Sequence, residues 1–289
     1  KKNMKKTSVK AFLTAFILSA FILSGLPVGA CTLWGATGNK TKDGMTLVAK
    51  NRDWKSDNHT KIEIVSPEDG YRYLSLTSDS EGSGGIKGGI NKEGLVIVSA
   101  TVVTVEETDL GKEGLNKQAL AYYNTVDSVM ADKELLSNIN PGYFLLGDKK
   151  KIAVIEVAPD GEFSVDETDN GYLCHTNHYS HEQFFEYNEK DNKGSETRLN
   201  RIEELLALPG KLLTMDDFIT FSEDQNDGPD YSIWRTGSNP EQSRTLATWI
   251  VAIPENDSPE LYIKFANPDE EEKSSTIKLD SAFWAKESI

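Results

Sequence analysis

The sequence predicts an α+β fold of layered sheets with helices on the outside. Strand-like segments recur in clusters along the chain, helical stretches separate those clusters, and neither an internal repeat nor a long linker divides it. Thr46 to Lys50 follows the turn Lys42-Asp43-Gly44, and Thr60 to Val65 alternates polar with apolar residues; both read as strands. Ile86 to Gly94 reads as a glycine-rich turn leading into Leu95–Val103, whose continuous β-branched run marks a buried strand. Asn116 to Asn138 has helical spacing in Ala119, Leu120, Tyr123, Val126, Val129 and Met130, and ends near Asn140-Pro141-Gly142. Tyr143–Leu146 and Ile152–Val157 form a hairpin around Gly147-Asp-Lys-Lys, and Tyr172–Asn177 is a further strand. Arg198–Leu208 is an amphipathic helix opened by Ser195 and stopped by Pro209-Gly210, and Met215-Asp-Asp-Phe begins another. Thr245–Ile253 and Leu261–Phe265 close the chain as a strand pair.

Composition narrows the function. The 289 residues are 38% hydrophobic and 27% charged, which suits one compact domain or two small ones. Net charge is −15, although Lys1, Lys2, Lys5, Lys6 and Lys10 crowd the start, so the remainder is more acidic still. A phosphate-binding face would have to be built against that field, which argues against nucleic acid as a partner. Two cysteines, Cys31 and Cys174, exclude a disulfide-rich scaffold and a four-cysteine zinc site. His175, His178 and His181 fall on alternate faces of a strand and have no suitably spaced Cys or Glu partner, so no metal is expected. Gly82 to Gly89 lacks the Gly-Lys-Ser/Thr ending of a phosphate cradle and reads as a flexible loop; the acidic runs at 223–230 and 269–272 read as solvated loops.

The first thirty residues have the pattern of an export signal. Lysines precede an apolar run from Ala11 to Leu23, which is short for a membrane span of roughly 20 residues, and Val28-Gly29-Ala30 offers a cleavage site before Cys31. Two processing routes make Cys31 the first mature residue. One acylates its sulfur as a lipoprotein tether; the other leaves a free α-amine and a free thiol.

Downstream motifs bear on that choice. Cys31-Thr32 followed by Asn51-Arg52-Asp53-Trp54 resembles the N-terminal-nucleophile (Ntn) hydrolases, in particular the choloylglycine hydrolase/penicillin V acylase family and the related isopenicillin-N acyltransferase family. Gly89-Ile-Asn91-Lys-Glu-Gly94-Leu95 resembles their Gly-x-Asn-Glu-x-Gly-Leu turn. Thr176-Asn177-His178 resembles the Thr-Asn-His segment of the acyltransferase branch, and Ser195-Glu-Thr-Arg198 its Ser-x-x-Arg helix start. The resemblance runs from Cys31 to about residue 266, in family order. It implies a leader over 1–30, a four-layer αββα Ntn-hydrolase sandwich over 31–289, and a secreted enzyme that cleaves a non-peptide linear amide without metal or cofactor. Implied substrates are small acyl amides: N-acyl amino acids, acylated β-lactams, conjugated bile acids or N-acyl lactones. Membrane contact is then confined to export or lipidation, and a homo-oligomer remains compatible.

The chemistry explains the residue types. A thiol ionises at about pH 8.5 and needs a base near neutrality, and an N-terminal cysteine brings its own α-amine, with a pKa of about 7.7–8.0. Removing the leader would create that base, because an amide nitrogen cannot accept the proton. The resemblance casts Cys31 as nucleophile, Asp53 as the group orienting its amine, Asn177 as oxyanion donor, and Arg198 as a fixed positive charge. The choloylglycine branch has Arg where this chain has Lys50, while Arg52 lies within the motif, so either cation is a candidate. The second oxyanion Asn of bile-salt hydrolases falls near Thr101, where a backbone N–H or Asn91 is the candidate replacement. Cys174 is either a buried structural thiol or a disulfide partner that would silence Cys31. Two rivals accompany the enzyme: an exported binding protein tethered through Cys31, and a catalytically silent member of the fold.

Overall fold

A computed structural model describes residues 30–78, 85–102 and 114–289. The expected leader lies outside them apart from Ala30, as do Gly82–Gly84 and Val103. In chain order the strands are β1 (Thr32–Thr37), β2 (Thr46–Trp54), β3 (Thr60–Val65), β4 (Tyr73–Ser78), β5 (Ile86–Asn91), β6 (Val96–Ala100), β7 (Gly142–Gly147), β8 (Ile152–Val157), β9 (Phe163–Thr168), β10 (Gly171–His175), β11 (Arg244–Ile253), β12 (Glu260–Phe265) and β13 (Lys273–Lys278). The helices are α1 (Leu115–Tyr122), α2 (Val126–Ala131), α3 (Lys133–Ser137), α4 (Lys193–Leu206), α5 (Met215–Ser222), α6 (Gly228–Tyr231) and α7 (Ser281–Trp284).

Two antiparallel sheets result, one ordered β10-β1-β2-β11-β12-β13 and the other β3 through β9 in sequence. Three apolar layers hold them. Leu33, Val48, Trp249, Leu145 and Val154 pack between the sheets. Ile97, Leu146 and Ile155 on the outer face of the second sheet meet Leu115, Ala119, Leu120 and Val129 of α1 and α2. Trp34, Leu47 and Ile250 on the outer face of the first sheet meet Ile202 and Leu206 of α4 and Phe218 of α5. Each fully buried aliphatic or aromatic side chain contributes about 1.5–3 kcal/mol, and the alternation along β1 and β2 divides that burial between two layers. The order helix, sheet, sheet, helix is the αββα sandwich the resemblance implied.

The structure corrects several boundaries. Ile86–Asn91 is a strand: a Cβ at Gly89 would come within 2.6 Å of the Leu74 carbonyl and of Leu120, so the glycines let β5 pack against β4 and α1. The turn is confined to residues near Gly94, whose φ of +94° only glycine adopts easily. The helix expected over 116–138 is three short helices, because Thr125 and Ser128 form a capping box and Asp132 accepts from the Leu135 N–H, each restarting the backbone. β2 runs on past Lys50 to Trp54 and carries Asp53 inside the sheet. α4 begins at Lys193, so Ser195 lies within its first turn and does not cap it.

Candidate active site

Cys31 immediately precedes β1, whose ladder with β10 pairs Leu33 with His175 and Trp34 with Cys174. Side chains alternate along a strand, so Leu33 and Cys31 face the space between the sheets while Trp34 faces the helices. Cys31 is 4% exposed. In the full chain its nitrogen is an amide bonded to Ala30, and it donates to Asn177 Oδ1 at 2.6 Å.

Asn177 sits just past the end of β10 and binds on several sides. Its backbone N–H donates to Ser195 Oγ at 2.8 Å and its side-chain nitrogen donates to the Thr101 carbonyl at 2.9 Å. Ser195 Oγ also donates to Thr176 Oγ1 at 2.9 Å, which ties the first turn of α4 to the Thr-Asn-His segment. From the next turn of that helix Arg198 donates to the Cys31 carbonyl at 2.6 Å, to Thr32 Oγ1 at 3.0 Å and to Asn177 Oδ1 at 3.3 Å. Burial, with Arg235 nearby, lowers Arg198 to about 10, so it stays charged near neutrality. Serine and arginine three residues apart share one helix face, which is why this spacing can serve one site.

β2 supplies groups to both of its faces. Lys50, paired with Leu33, points between the sheets. Its ammonium donates to the Lys87 carbonyl at 2.9 Å and to the Ser99 carbonyl, and it lies near enough to the Cys31 thiol to interact with it electrostatically. Burial pushes the Lys50 pKa down, while Cys31 and Asp53 oppose the shift. Arg52 turns elsewhere, donating at 2.7 Å to both Thr60 Oγ1 and Asn58 Oδ1. The cation at the sulfur is therefore Lys50.

Asp53 lies on the other face. Continuing the β1–β2 register two residues beyond the Thr32–Asn51 pair places it across from Ala30, beside the Ala30–Cys31 bond. Asp53 Oδ1 accepts from Thr245 Oγ1 at 2.8 Å; Oδ2 is buried without a hydrogen-bond partner among the described residues and lies 3.9 Å from Arg235. Burial raises its carboxyl from 3.8 to about 6, against the pull of Arg235 and Arg198. The nitrogen of Cys31, expected to meet Asp53, thus bonds Asn177 in this chain, where an amide has a single hydrogen to give.

Two candidates are corrected. Asn91 uses its whole amide locally, donating to the Leu120 and Tyr123 carbonyls and accepting from the Glu93 and Leu95 N–H groups. It lies four residues along β5 from Lys87, roughly 13 Å away at strand rise, and is a turn former that anchors α1. Thr101 offers Asn177 a carbonyl oxygen while its own side chain is exposed. Cys174 is a free thiol, as is Cys31, and packs on the helix side with Trp34, which removes the disulfide. The three histidines go separate ways, His175 to Glu156, His178 to Ser195 and His181 to Asp166.

Sequence reasoning missed Arg235 and Thr245. Thr245 Oγ1 accepts from the Arg235 N–H at 2.9 Å and donates to Asp53, so the two residues frame the carboxylate. A register shift in β11 between Thr245 and Ala247 aims that hydroxyl, and no local motif announces it.

Comparison with known proteins fits this geometry. The profile of the family described as "Acyl-coenzyme A:6-aminopenicillanic acid acyl-transferase" matches residues 39–270, most of the chain. The chain belongs to this family. Among solved structures, a single-residue variant of conjugated bile acid hydrolase from Clostridium perfringens is similar with a TM-score of 0.55 at 15% identity, over 86% of this chain and 92% of that one. The N-acylethanolamine-hydrolyzing acid amidase ortholog of Caenorhabditis elegans has a TM-score of 0.53 at 14% identity, over 78% of this chain and 93% of that one. Both likenesses are of fold, and the fold is the Ntn-hydrolase sandwich. No curated protein sequence matches the chain. The family match begins after Cys31, so the nucleophile's case stands on the geometry above.

Proposed function

We propose that the chain is an exported Ntn amidase that cleaves a small, non-peptide linear amide through an acyl-enzyme on Cys31. Family and fold support the broader reading, an enzyme acting on carbon–nitrogen bonds other than peptide bonds. The observation that carries the finer one is the convergence on Cys31 of a buried ammonium at its sulfur, a carboxamide at its nitrogen and a guanidinium at its carbonyl.

Cleavage before Cys31 replaces its single amide hydrogen with an amine. That nitrogen can keep Asn177 and also reach the unpartnered Oδ2 of Asp53 across the ladder. The amine takes the thiol proton as sulfur attacks the amide carbon, with Lys50 stabilising the charge on sulfur. The carbonyl oxygen becomes an oxyanion; the Asn177 amide nitrogen carries two hydrogens, so the oxyanion can share it with the Thr101 carbonyl. Collapse expels the amine of the substrate, which leaves with the proton held on the α-nitrogen. Water then attacks the thioester, giving its proton to that nitrogen, and a second collapse releases the acid and restores the thiol. An amine in place of that water would make the chain an acyltransferase.

Lipidation at Cys31 fits poorly with this environment: the residue is 4% exposed and its side chain packs between the sheets near Lys50, so a diacylglyceryl group would have to displace that packing. The test offers a chain beginning at Cys31, and one retaining Ala30, to phenoxymethylpenicillin, glycocholate and N-acyl amino acids. We expect turnover and a transient acyl mass on Cys31 with the first chain alone. Turnover by the Ala30-extended chain, with its bond intact, would refute the amine-as-base reading.

A further inference from the structure

One buried carboxylate takes no part in the mechanism above. Glu156 projects from β8 into the space between the sheets and is wholly buried. Its Oε1 accepts from His175 Nε2 at 2.7 Å, from the Ser180 N–H at 2.6 Å and from Ser180 Oγ at 2.6 Å, and its Oε2 faces the His181 N–H at 3.3 Å. His175 is the last residue of β10, and Ser180 and His181 follow the Thr-Asn-His segment. One carboxylate on the second sheet thus grips both flanks of the stretch that carries Asn177, whose Oδ1 holds the Cys31 nitrogen.

The second nitrogen of His175 also meets an acceptor. Nδ1 lies 3.0 Å from the Thr176 carbonyl, an oxygen that can only accept. With an acceptor facing each ring nitrogen, the geometry favours an imidazole that donates from both. Tyr143 lies against it, ring centroids 4.6 Å apart, as suits a buried cation on an aromatic face. Burial alone would push the Glu156 carboxyl up, but hydrogen bonds from His175 and Ser180 outweigh it and hold it at about 2.

We infer that Glu156 and His175 form a buried carboxylate–imidazolium pair that positions Asn177, and through it the nucleophilic residue, from the opposite sheet. Glu156 is a positioning residue, since it reaches Cys31 only through the segment it clamps. The role in catalysis rests on the reading of Cys31 as nucleophile; the ion pair itself does not.

Two measurements on the protein beginning at Cys31 separate these. Nitrogen-15 NMR of the histidine side chains should show both His175 nitrogens protonated at neutral pH, and one of them bare in Glu156→Gln. A single protonated nitrogen in the unmodified protein would overturn the ion pair. In the second, iodoacetamide alkylation of Cys31 and turnover of the best-cleaved amide are followed in Glu156→Gln. Both alkylation rate and kcat should fall by about tenfold with KM nearly constant, the scale of one lost charge-assisted hydrogen bond. Unchanged rates in a folded variant would overturn the positioning role. If Glu156→Gln does not fold, Ser180→Ala at an exposed position decides: a fall in kcat with KM held supports the role, and wild-type kcat refutes it. Should the unmodified protein alkylate Cys31 no faster than Cys174, the nucleophile reading fails while the NMR result still judges the pair.

Discussion

Cys31, just ahead of β1, and Cys174, on the neighbouring β10, are both free thiols, yet they occupy opposite chemical worlds. Cys31 faces between the sheets, against Lys50, with Asn177 and Arg198 on its backbone. Cys174 faces the helix layer beside Trp34, where burial and the charge of Glu203 push its thiol up and keep it protonated. A one-residue difference in strand parity separates a candidate nucleophile from an inert packing group. Reactivity here belongs to the position more than to the residue type.

Five substitutions break or sharpen that contrast. Cys31→Ala should lower amide turnover by roughly 10³-fold or more, whereas Cys174→Ala should leave kcat near its starting value; steady-state kinetics of both variants decide this. Asp53→Asn should cost about 10²-fold in kcat, the scale of losing an orienting group for the catalytic base. Its effect on stability runs the other way. Because the folded carboxyl is raised from 3.8 to about 6, the native state favours the protonated form, so this contribution is present below pH 3.8 and is lost as pH rises through about 6. Ionised Asp53 therefore costs on the order of 2–3 kcal/mol near neutrality, and Asp53→Asn should melt no lower than the unmodified protein in calorimetry at pH 7.

Lys50→Met removes the ammonium at the sulfur while keeping an unbranched apolar stem; alkylation of Cys31 should slow by about tenfold and that of Cys174 should not change. Asn91→Ala should do least to the chemistry, with kcat within about twofold. It should nonetheless lower stability by about 2–3 kcal/mol in urea titration, because four backbone groups, two of them in buried bonds, lose their partner. A large kcat loss in Asn91→Ala would return it to the site from which its hydrogen bonds remove it.

Much of this was legible in the sequence. The β-branched runs of β6 and β11, the hairpin of β7 and β8 and the periodicity of α4 all follow from local pattern, and the Thr-Asn-His and Ser-x-x-Arg segments do converge on Cys31. Other features had no local signal. β1 reads Thr-Leu-Trp-Gly-Ala-Thr, buried on both faces, so it lacks the alternation that marks a half-exposed strand. β5 hid behind its glycines, which mark close packing as readily as turns. Lys50 and Arg52 have the same strand parity and the same sign of charge, and only tertiary partners at Thr60, Asn58, Lys87 and Ser99 tell them apart. Arg235 and Thr245 reach Asp53 through a bulge about 190 residues downstream in sequence, beyond any motif.

The most direct test is competitive alkylation of the protein beginning at Cys31, with limiting iodoacetamide near neutral pH and peptide-resolved mass spectrometry. The account predicts that Cys31 is consumed well before Cys174, and that restoring Ala30 ahead of it removes the preference. Slow, equal labelling of the two thiols in both forms would contradict it.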